Sequence, residues 1–434
     1  MADLSHDIAS IVAQVKARTV QPVTLIDQAL EFIATNDTAI HAWTHVGTAS
    51  SMHQAAGAVD CDAPLAGVSF GVKDVLNVAH MPTRFGAQLP FHSNEPFDAA
   101  CVTRLRAAGA VPIGKTVTAE FAYKRPGPTV NPHDAARTPG GSSSGSAAAV
   151  AAGMVPFALG TQTGGSMIRP AAFCGVAGFK PTFGAVGRDG MKVICESLDT
   201  IGWYARSVQD VRRIATVLLS GKKVVEPAQP PKVALALNYQ HVLEPDARSA
   251  LNNAVRILRE HGSVCAEISV PDDLTELAAA HQIIMRYELA RSIAPIAHRY
   301  PEYLSETLLE CVRQGHATDH EEHSEARAFQ REMTDEWRRI AQGADFILTP
   351  SVPGEAPRGL ASTGSAAFNV AWSVLGWPCL HIPHGVSRNG MPLGVQLVAQ
   401  RGSDMDLLAW GEWMEHLFTA SELRDQPEPQ SKAY

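Results

Sequence analysis

Two clusters of glycine, serine and threonine flank a segment of small residues, and they constrain this chain more than any other feature. The clusters span residues 140–146 and 161–166, and the small-residue segment 147–152 between them is predicted to be helical. Most Gly/Ser runs are flexible linkers, and a linker is the alternative interpretation of the first cluster. A second cluster just beyond the helix favours a different role, because successive glycines let main-chain N–H groups converge on an anion or a developing oxyanion.

The first cluster also matches G-x-S-x-G, the nucleophile-elbow pattern of α/β-hydrolases, with Ser143 at its centre. That elbow requires an apolar strand immediately before the serine. The preceding residues, 131–139, contain two prolines and several charged or polar side chains, so they cannot form a central strand. An esterase elbow at Ser143 is therefore the disfavoured alternative.

Strand-like and helical segments alternate along the chain, which favours an α/β fold with helices on the faces of a sheet. A strand is predicted at 67–72, a helix at 99–108 and a buried strand at 110–114. Further strands are predicted towards the C-terminus, at 346–350, 379–383 and 394–398. Residues 222–341 are poor in glycine and rich in Glu, Arg, His and Leu with helical periodicity, which predicts a mostly helical insertion.

The charge balance argues against nucleic acid or anionic lipid as a partner. The chain has 36 Lys and Arg against 44 Asp and Glu, a formal net charge of −8, whereas such partners reward a strongly basic surface. The N-terminus lacks the basic start and apolar run of a signal peptide, and the longest small-apolar stretch, 147–160, is too short to cross a bilayer. We therefore expect no membrane span.

Cysteine and histidine usage indicates neither disulfides nor a metal. The seven cysteines are odd in number, scattered and never spaced as C-x-x-C, so a disulfide framework or a thiolate zinc site is not expected. We expect a reducing, cytoplasmic compartment. The histidine-rich stretch at 316–323 has no H-E-x-x-H or H-x-x-E-H pattern, and its acidic surroundings indicate a solvated helix face.

Longer motifs around the two clusters resemble the amidase signature family. The central ones are G-G-S-S-x-G-S-A-A-A-V-A-A-G at 140–153, G-T-x-T-G-G-S at 160–166 and P-A-A-F-C-G-V-x-G-F-K-P-T at 170–182. Three further segments are similar: a lysine strand at 71–74, a downstream segment at 197–202 and a C-terminal strand at 390–397. The resemblance implies one α/β/α sandwich domain over residues 1–434, with a large twisted mixed sheet and 222–341 as its helical elaboration.

The resemblance also implies a Ser-cisSer-Lys triad in place of Ser-His-Asp. Ser166, at the end of the T-G-G-S loop, would be the nucleophile, Ser142 the proton relay and Lys73 the base. The two serines are 24 residues apart, the family's usual separation, and the peptide bond between Gly141 and Ser142 is expected to be cis. Taken singly, the same residues are typical of a surface lysine at a strand end, a turn serine and a helix N-cap.

The chemistry of these residue types agrees with such roles. A serine hydroxyl is a poor nucleophile until a base takes its proton, and lysine is a base only when neutral. Burial at the end of an apolar strand would lower the pKa of Lys73, as that role requires. The oxyanion would be bound by backbone N–H groups, those of Thr163, Gly164, Gly165 and Ser166. No metal or organic cofactor is needed for this mechanism.

Two departures from the common family pattern concern specificity. Gln162 stands where many members have aspartate, and the arginine after the nucleophile, Arg169, lies three residues beyond Ser166 instead of two. The shift, together with Ser144 in place of glycine, resembles the malonamidase branch, in which the arginine holds a substrate carboxylate. Arg169 would then clamp a carboxylate bidentately, and a structural salt bridge under the nucleophile loop is the alternative.

These features predict a serine amidase for a small amide that also carries an acid group, such as a malonamate-like or carboxylated urea-like compound. One alternative is a glutamine amidotransferase subunit that passes ammonia to a partner. The other is a catalytically silent binding protein with the same fold, which the presence of all three triad residue types disfavours. The analogy with the malonamidase branch also allows a homodimer.

Overall fold

One mixed β-sheet runs through the residues that this computed structural model describes, which are 7–219, 227–236, 242–268 and 273–425. Its strands are β1 (Trp43–Val46), β2 (Ser69–Lys73), β3 (Val111–Thr116), β4 (Phe157–Gln162), β5 (Ala177–Lys180), β6 (Thr200–Ala205), β7 (Lys232–Leu235), β8 (Val264–Glu267), β9 (Phe346–Pro350), β10 (Cys379–Val386) and β11 (Pro392–Val398). Their order across the sheet is β1-β3-β2-β4-β6-β5-β10-β11-β9-β7-β8. Parallel and antiparallel pairs coexist, so the predicted α/β class with a large mixed sheet is confirmed.

Thirteen α-helices accompany the sheet in the described residues. They are α1 (Ile8–Lys16), α2 (Pro22–Ile40), α3 (Ala49–Gly57), α4 (Ala100–Ala107), α5 (Ser144–Ala151), α6 (Ile168–Cys174), α7 (Val208–Leu218), α8 (Pro245–Glu260), α9 (Asp273–Arg299), α10 (Glu306–Ala317), α11 (His320–Ile340), α12 (Val370–Val374) and α13 (Asp404–Asp425). None of these described helices is long and apolar enough to cross a membrane.

The centre of the sheet is covered on both faces. Strands β2, β3, β4 and β6 are buried at every position, although successive side chains of a strand point to opposite faces. Neighbouring β2 and β4 also pack side by side, since the rings of Phe70 and Phe157 stack with centroids 4.9 Å apart. Such burial is typical of strands enclosed between two helical layers.

The site forms where the parallel strands β2 and β4 end. Their register pairs Val72 with Leu159, so their carboxyl ends meet at one edge of the sheet, where open α/β sheets bind ligands. Helix α5 approaches this edge closely, because a Cβ on Gly145 would lie only 2.2 Å from the carbonyl oxygen of Ala42. The glycine-rich cluster is therefore a packed element, and the linker interpretation is wrong.

The segment 222–341 contributes both helices and strands. Helices α8 to α11 account for most of its described residues, but β7 and β8 also lie in it and join the main sheet beside β9. Helix α9 packs against α10, α11 and α12 and reaches the edge where β2 and β4 end. We propose that residues 1–434 form a single domain, in which this segment is an elaboration that also extends the sheet.

Candidate active site

Lys73, the last residue of β2, is fully buried and surrounded by oxygen atoms. Its Nζ donates to Ser142 Oγ at 2.8 Å and to Thr161 Oγ1 at 2.7 Å, and it lies 3.4 Å from the carbonyl oxygen of Thr161. No carboxylate of the described residues lies within 4 Å of this ammonium group. The lysine is thus removed from water without a directly contacting counter-charge.

This environment lowers the pKa of Lys73 to about 7. Burial is the main cause, because the charged form loses its hydration. The negative charge of Asp199 opposes the shift, and the positive charge of Arg169 adds to it. A substantial fraction of Lys73 is therefore neutral at neutral pH and able to accept a proton.

Ser142 is held in place through its own peptide group. The bond between Gly141 and Ser142 is cis, as the resemblance implied. The Gly141 carbonyl accepts hydrogen bonds from Arg169 Nε at 3.2 Å and from one terminal nitrogen of the same guanidinium at 2.6 Å. The Ser142 carbonyl accepts from the backbone N–H of Ala119 at 3.0 Å. Both sides of the Ser142 residue are therefore anchored.

Each backbone carbonyl of the loop 163–166 accepts a hydrogen bond from a residue outside that loop. The contacts are His281 Nε2 with Thr163 O at 3.2 Å, Ser373 Oγ with Gly164 O at 2.7 Å, Arg169 N with Gly165 O at 3.0 Å, and Tyr204 OH with Ser166 O at 3.0 Å. These four bonds fix the orientation of successive peptide groups.

The orientation of the carbonyls determines where the N–H groups point. In a trans peptide the N–H and C=O point in opposite directions, so the N–H groups of Gly164, Gly165 and Ser166 face away from those donors. Thr163 and these three residues line one cavity, and the three N–H groups donate to no other described residue. A side chain at position 165 would clash, since its Cβ would lie 2.8 Å from Asn369 Oδ1. The loop can bind an anion.

Gln162 fastens the base of this loop. Its Oε1 accepts from the backbone N–H groups of Met167 at 2.8 Å and Ile168 at 3.1 Å, and its Nε2 donates to Ser373 Oγ at 2.9 Å. An amide can accept and donate at once, whereas an ionised aspartate only accepts. Gln162 thereby connects the two ends of the loop to helix α12.

Asp199 secures the other side of the loop. Its carboxylate accepts from Thr163 Oγ1 at 2.5 Å and from the backbone N–H groups of Ile194 and Cys195. Burial raises the pKa of Asp199, and these hydrogen bonds oppose the shift. The carboxylate also lies close enough to influence the charge of Lys73.

A cavity of about 630 Å³ opens onto the loop. Ser166 and Arg169 both line it, and each is 9% exposed. Helix α9 supplies another wall through His281, whose pKa burial lowers to about 4. This imidazole is therefore neutral, and its contact with the Thr163 carbonyl is that of an Nε2–H donor.

The structure brings most of the predicted site residues together. Lys73 and Ser142 are in direct contact, and Ser166, Arg169 and the glycine loop share the cavity. Within the described part of the chain, Ser142 and Ser166 are not hydrogen-bonded to each other. The alternative role of Arg169 in a salt bridge is wrong, because it forms no ion pair within the described chain and binds the carbonyls of Gly141 and Gly364 instead.

The alternative nucleophile, Ser143, has a structural role. Its Oγ donates to the carbonyl oxygen of Thr161 and accepts from the N–H of Thr161, both at 3.1 Å. It does not line the cavity, and residues 131–139 form no strand before it. An elbow at Ser143 is excluded by this arrangement.

Three residues of the site were missed by the sequence analysis: His281, Ser373 and Tyr204. They lie on α9, α12 and β6, far from the glycine clusters in sequence, and no local pattern marks them. Among the described residues, no group of three or more His, Cys, Asp or Glu side chains is placed to hold a metal ion.

Fold and site together define an α/β enzyme with a buried lysine–serine pair beside a glycine-rich anion-binding loop. The sequence profile of the Amidase family matches residues 24–408, and the chain belongs to this family. A glutamyl-tRNA(Gln) amidotransferase subunit from Thermus thermophilus is 31% identical over 462 aligned positions, which cover 93% of this chain and 95% of that protein.

Solved structures agree with this assignment. A crystal structure of an amidase superposes with a TM-score of 0.88 at 30% identity, covering 95% of this chain and 100% of that one. The peptide amidase of Stenotrophomonas maltophilia superposes with a TM-score of 0.80 at 26% identity, covering 100% and 99% of the two chains. The chain is an amide-hydrolysing enzyme.

Proposed function

We propose that this enzyme hydrolyses a linear C–N amide bond of a small, carboxylate-bearing substrate through a Ser-cisSer-Lys triad. The observation that carries the proposal is the hydrogen bond of 2.8 Å from the buried Lys73 Nζ to Ser142 Oγ, beside the loop that ends in Ser166. A lysine with a pKa of about 7 supplies a base at neutral pH, and the adjacent hydroxyl supplies a relay.

Acylation begins when Ser166 Oγ attacks the substrate carbonyl carbon. The proton of Ser166 passes to Ser142 Oγ while the proton of Ser142 passes to the neutral Nζ of Lys73, which becomes an ammonium. The carbonyl oxygen gains the negative charge and is bound by the N–H groups of Gly164, Gly165 and Ser166. A donor of this kind contributes about 3 to 4 kcal/mol to the stabilisation of the transition state.

Collapse of the tetrahedral intermediate breaks the C–N bond. The leaving nitrogen takes a proton that returns from Lys73 through Ser142, so ammonia or an amine departs and Ser166 keeps the acyl group. Water then attacks the ester between Ser166 and the acyl group, with Lys73 again acting as the base, and the carboxylate product is released. The lysine ends each half-reaction neutral, ready for the next.

The surroundings of Arg169 favour a substrate with an acidic group. Three of the five guanidinium N–H groups bind the carbonyls of Gly141 and Gly364, so two remain for a ligand. Burial lowers the pKa of Arg169 to about 10, and no described carboxylate pairs with it. A substrate carboxylate in the cavity would provide the missing counter-charge and would accept charge-assisted hydrogen bonds.

The deciding experiment is ammonia release from acidic, neutral aliphatic and aryl amides by the purified chain and by Ser166→Ala. We expect release from at least one acidic amide, and its loss in the variant with an unchanged circular dichroism spectrum. Undiminished turnover by Ser166→Ala would overturn the assignment of the nucleophile.

The same panel tests Arg169. We expect Arg169→Met to raise KM for carboxylated amides by about 10- to 100-fold, because a hydrogen-bonded charge is lost. For neutral amides we expect only a lower kcat, because Arg169→Met also removes the hydrogen bonds to the Gly141 carbonyl. Equal changes in KM for both substrate classes would show that Arg169 makes only structural contacts and does not bind a substrate carboxylate.

A second candidate is an amidotransferase subunit. It is supported by the similarity over 93% of this chain to a protein named as a subunit of glutamyl-tRNA(Gln) amidotransferase. Such a subunit would deliver ammonia to a partner. Autonomous, Ser166-dependent ammonia release without any added protein favours the hydrolase, and release that needs a partner favours the subunit.

A further inference from the structure

The cavity that contains Ser166 is positively charged, although the chain as a whole is acidic. Its lining includes Lys124, Arg125 and Arg169 but no Asp or Glu among the described residues, while the net charge of the chain is −8. Cations gathered in a concave site focus the field and raise the local concentration of anions. Arg169 lies next to the nucleophile, whereas Lys124 and Arg125 belong to a separate loop.

The fold holds that loop, residues 119–126, against the active site. The N–H of Ala119 donates to the carbonyl of Ser142, and the N–H of Glu120 donates to the carbonyl of Arg125, both at 3.0 Å. Phe121 and Ala122 have φ values of 45° and 55°, which are unfavourable for residues with a side chain. Such a conformation persists only where the surrounding structure enforces it, and it is typical of functional sites.

The neighbouring carboxylate is already engaged. Glu120 is 2% exposed and accepts hydrogen bonds from both the N–H and the Oγ of Ser305, at the start of α10. The terminal nitrogen of Arg125 is 3.8 Å from Glu120 Oε1, and 57% of the Arg125 side chain is exposed. Its charge is therefore only loosely compensated.

Lys124 has no compensating carboxylate among the described residues. Its Nζ lies 5.5 Å from the ring centroid of Tyr123, which also lines the cavity. Thr307 also lines the cavity, and its hydroxyl can add a hydrogen bond to an anion. Lys124, Arg125 and Thr307 thus line the cavity in which a substrate would bind.

We propose that Lys124 and Arg125 form a second anion subsite, so that the preferred substrates are amides that carry two acidic groups. One acidic group binds Arg169 beside the nucleophile, and the other binds the loop 119–126. This inference rests on the proposed hydrolase function and narrows its substrate class. It also assigns a role to the unusual backbone of that loop, which places Lys124 and Arg125 in the lining of the cavity.

The kinetic test compares three amides: a neutral one, the monoamide of a dicarboxylic acid and the monoamide of a tricarboxylic acid. In Lys124→Met/Arg125→Met we expect kcat/KM for the two-acid amide to fall by about 10- to 100-fold, mainly through KM. The one-acid amide should lose no more than about fivefold, as expected from the removal of exposed charge. Equal losses for both acidic amides would overturn the subsite.

A binding test keeps this inference separate from the proposed function. Isothermal titration calorimetry measures the affinity of a free tricarboxylate for the wild type and for the double variant. The control, Lys16→Met/Lys232→Met, removes the same charge from exposed positions outside the cavity. Weaker binding in Lys124→Met/Arg125→Met alone supports the subsite, even if no amide is turned over. Equal binding by all three proteins overturns it, even if the hydrolase function stands.

Discussion

Two fully buried lysines on neighbouring strands have opposite surroundings. Lys73 ends β2, and Lys115 on β3 lies opposite Val72 in the parallel pair. Lys115 Nζ contacts Asp74 Oδ1 at 3.1 Å and Thr83 Oγ1 at 2.6 Å. Lys73 contacts hydroxyl and carbonyl oxygens only.

The difference shows that burial alone does not make a lysine a base. Burial lowers the pKa of both lysines, but at Lys115 the attraction of Asp74 opposes the shift. At Lys73 the carboxylate of the described residues that opposes the shift, Asp199, acts from beyond contact distance. The partner therefore decides whether a buried lysine completes an ion pair or remains available for proton transfer.

Substitution of the two lysines should have different and large consequences, mainly on activity at Lys73 and mainly on stability at Lys115. Lys73→Met should lower kcat/KM by about 10²- to 10⁴-fold, the usual contribution of a general base, with little change in melting temperature. Lys115→Met leaves Asp74 buried without its partner, so the free energy of unfolding should fall by about 3 to 5 kcal/mol. Steady-state kinetics and denaturant titration measure both effects. A strong loss of activity per folded molecule in Lys115→Met would contradict a purely structural role for Lys115.

The sequence patterns located the strands around both lysines because those strands are buried and apolar. The predicted strands at 67–72, 110–114 and 346–350 correspond to β2, β3 and β9 within two residues at each end. Strands β7 and β8 were missed. They have only four residues each, and three of the four in β8 are exposed, so neither carries the alternation that marks a longer strand.

The candidate site was predicted only where its residues belong to short motifs in the sequence. Ser142, Ser166 and the glycine loop lie within one stretch, Lys73 lies in a separate short motif, and the resemblance to the family implied the cis bond before Ser142. The donors on the loop carbonyls come from α9, α12 and β6, and tertiary packing alone brings them there. The engagement of Arg169 with the Gly141 carbonyl likewise depends on the path of the folded chain.

A smaller effect is expected at His281, which holds the anion-binding loop from outside. His281→Leu removes the donor to the Thr163 carbonyl, so the loop loses one fixed peptide orientation, and kcat should fall by about tenfold. His281→Gln keeps a donor and should restore most of kcat. Because the substrate is held elsewhere, KM should change less than kcat in both variants. A purely structural role would instead lower the melting temperature and leave kcat per folded molecule unchanged.

A shift in the pH profile should be smaller still, and it distinguishes the two lysines by the group that titrates. Only neutral Lys73 accepts a proton, so kcat/KM should rise about tenfold per pH unit below pH 7 and level off above it. Asp199 favours the charged form of Lys73, so Asp199→Asn should lower the pH of the inflection. Lys115→Met should leave the inflection in place.

Rates measured from about pH 5 to pH 9 at constant ionic strength locate the inflection in all three proteins. A flat profile would contradict Lys73 as the base, because no lysine would then have to lose its proton for turnover. An inflection that moves with Lys115→Met but not with Asp199→Asn would assign the titration to the neighbouring ion pair. A movement with Asp199→Asn alone ties the titration to Lys73, since Asp199 is the carboxylate whose charge acts on that lysine.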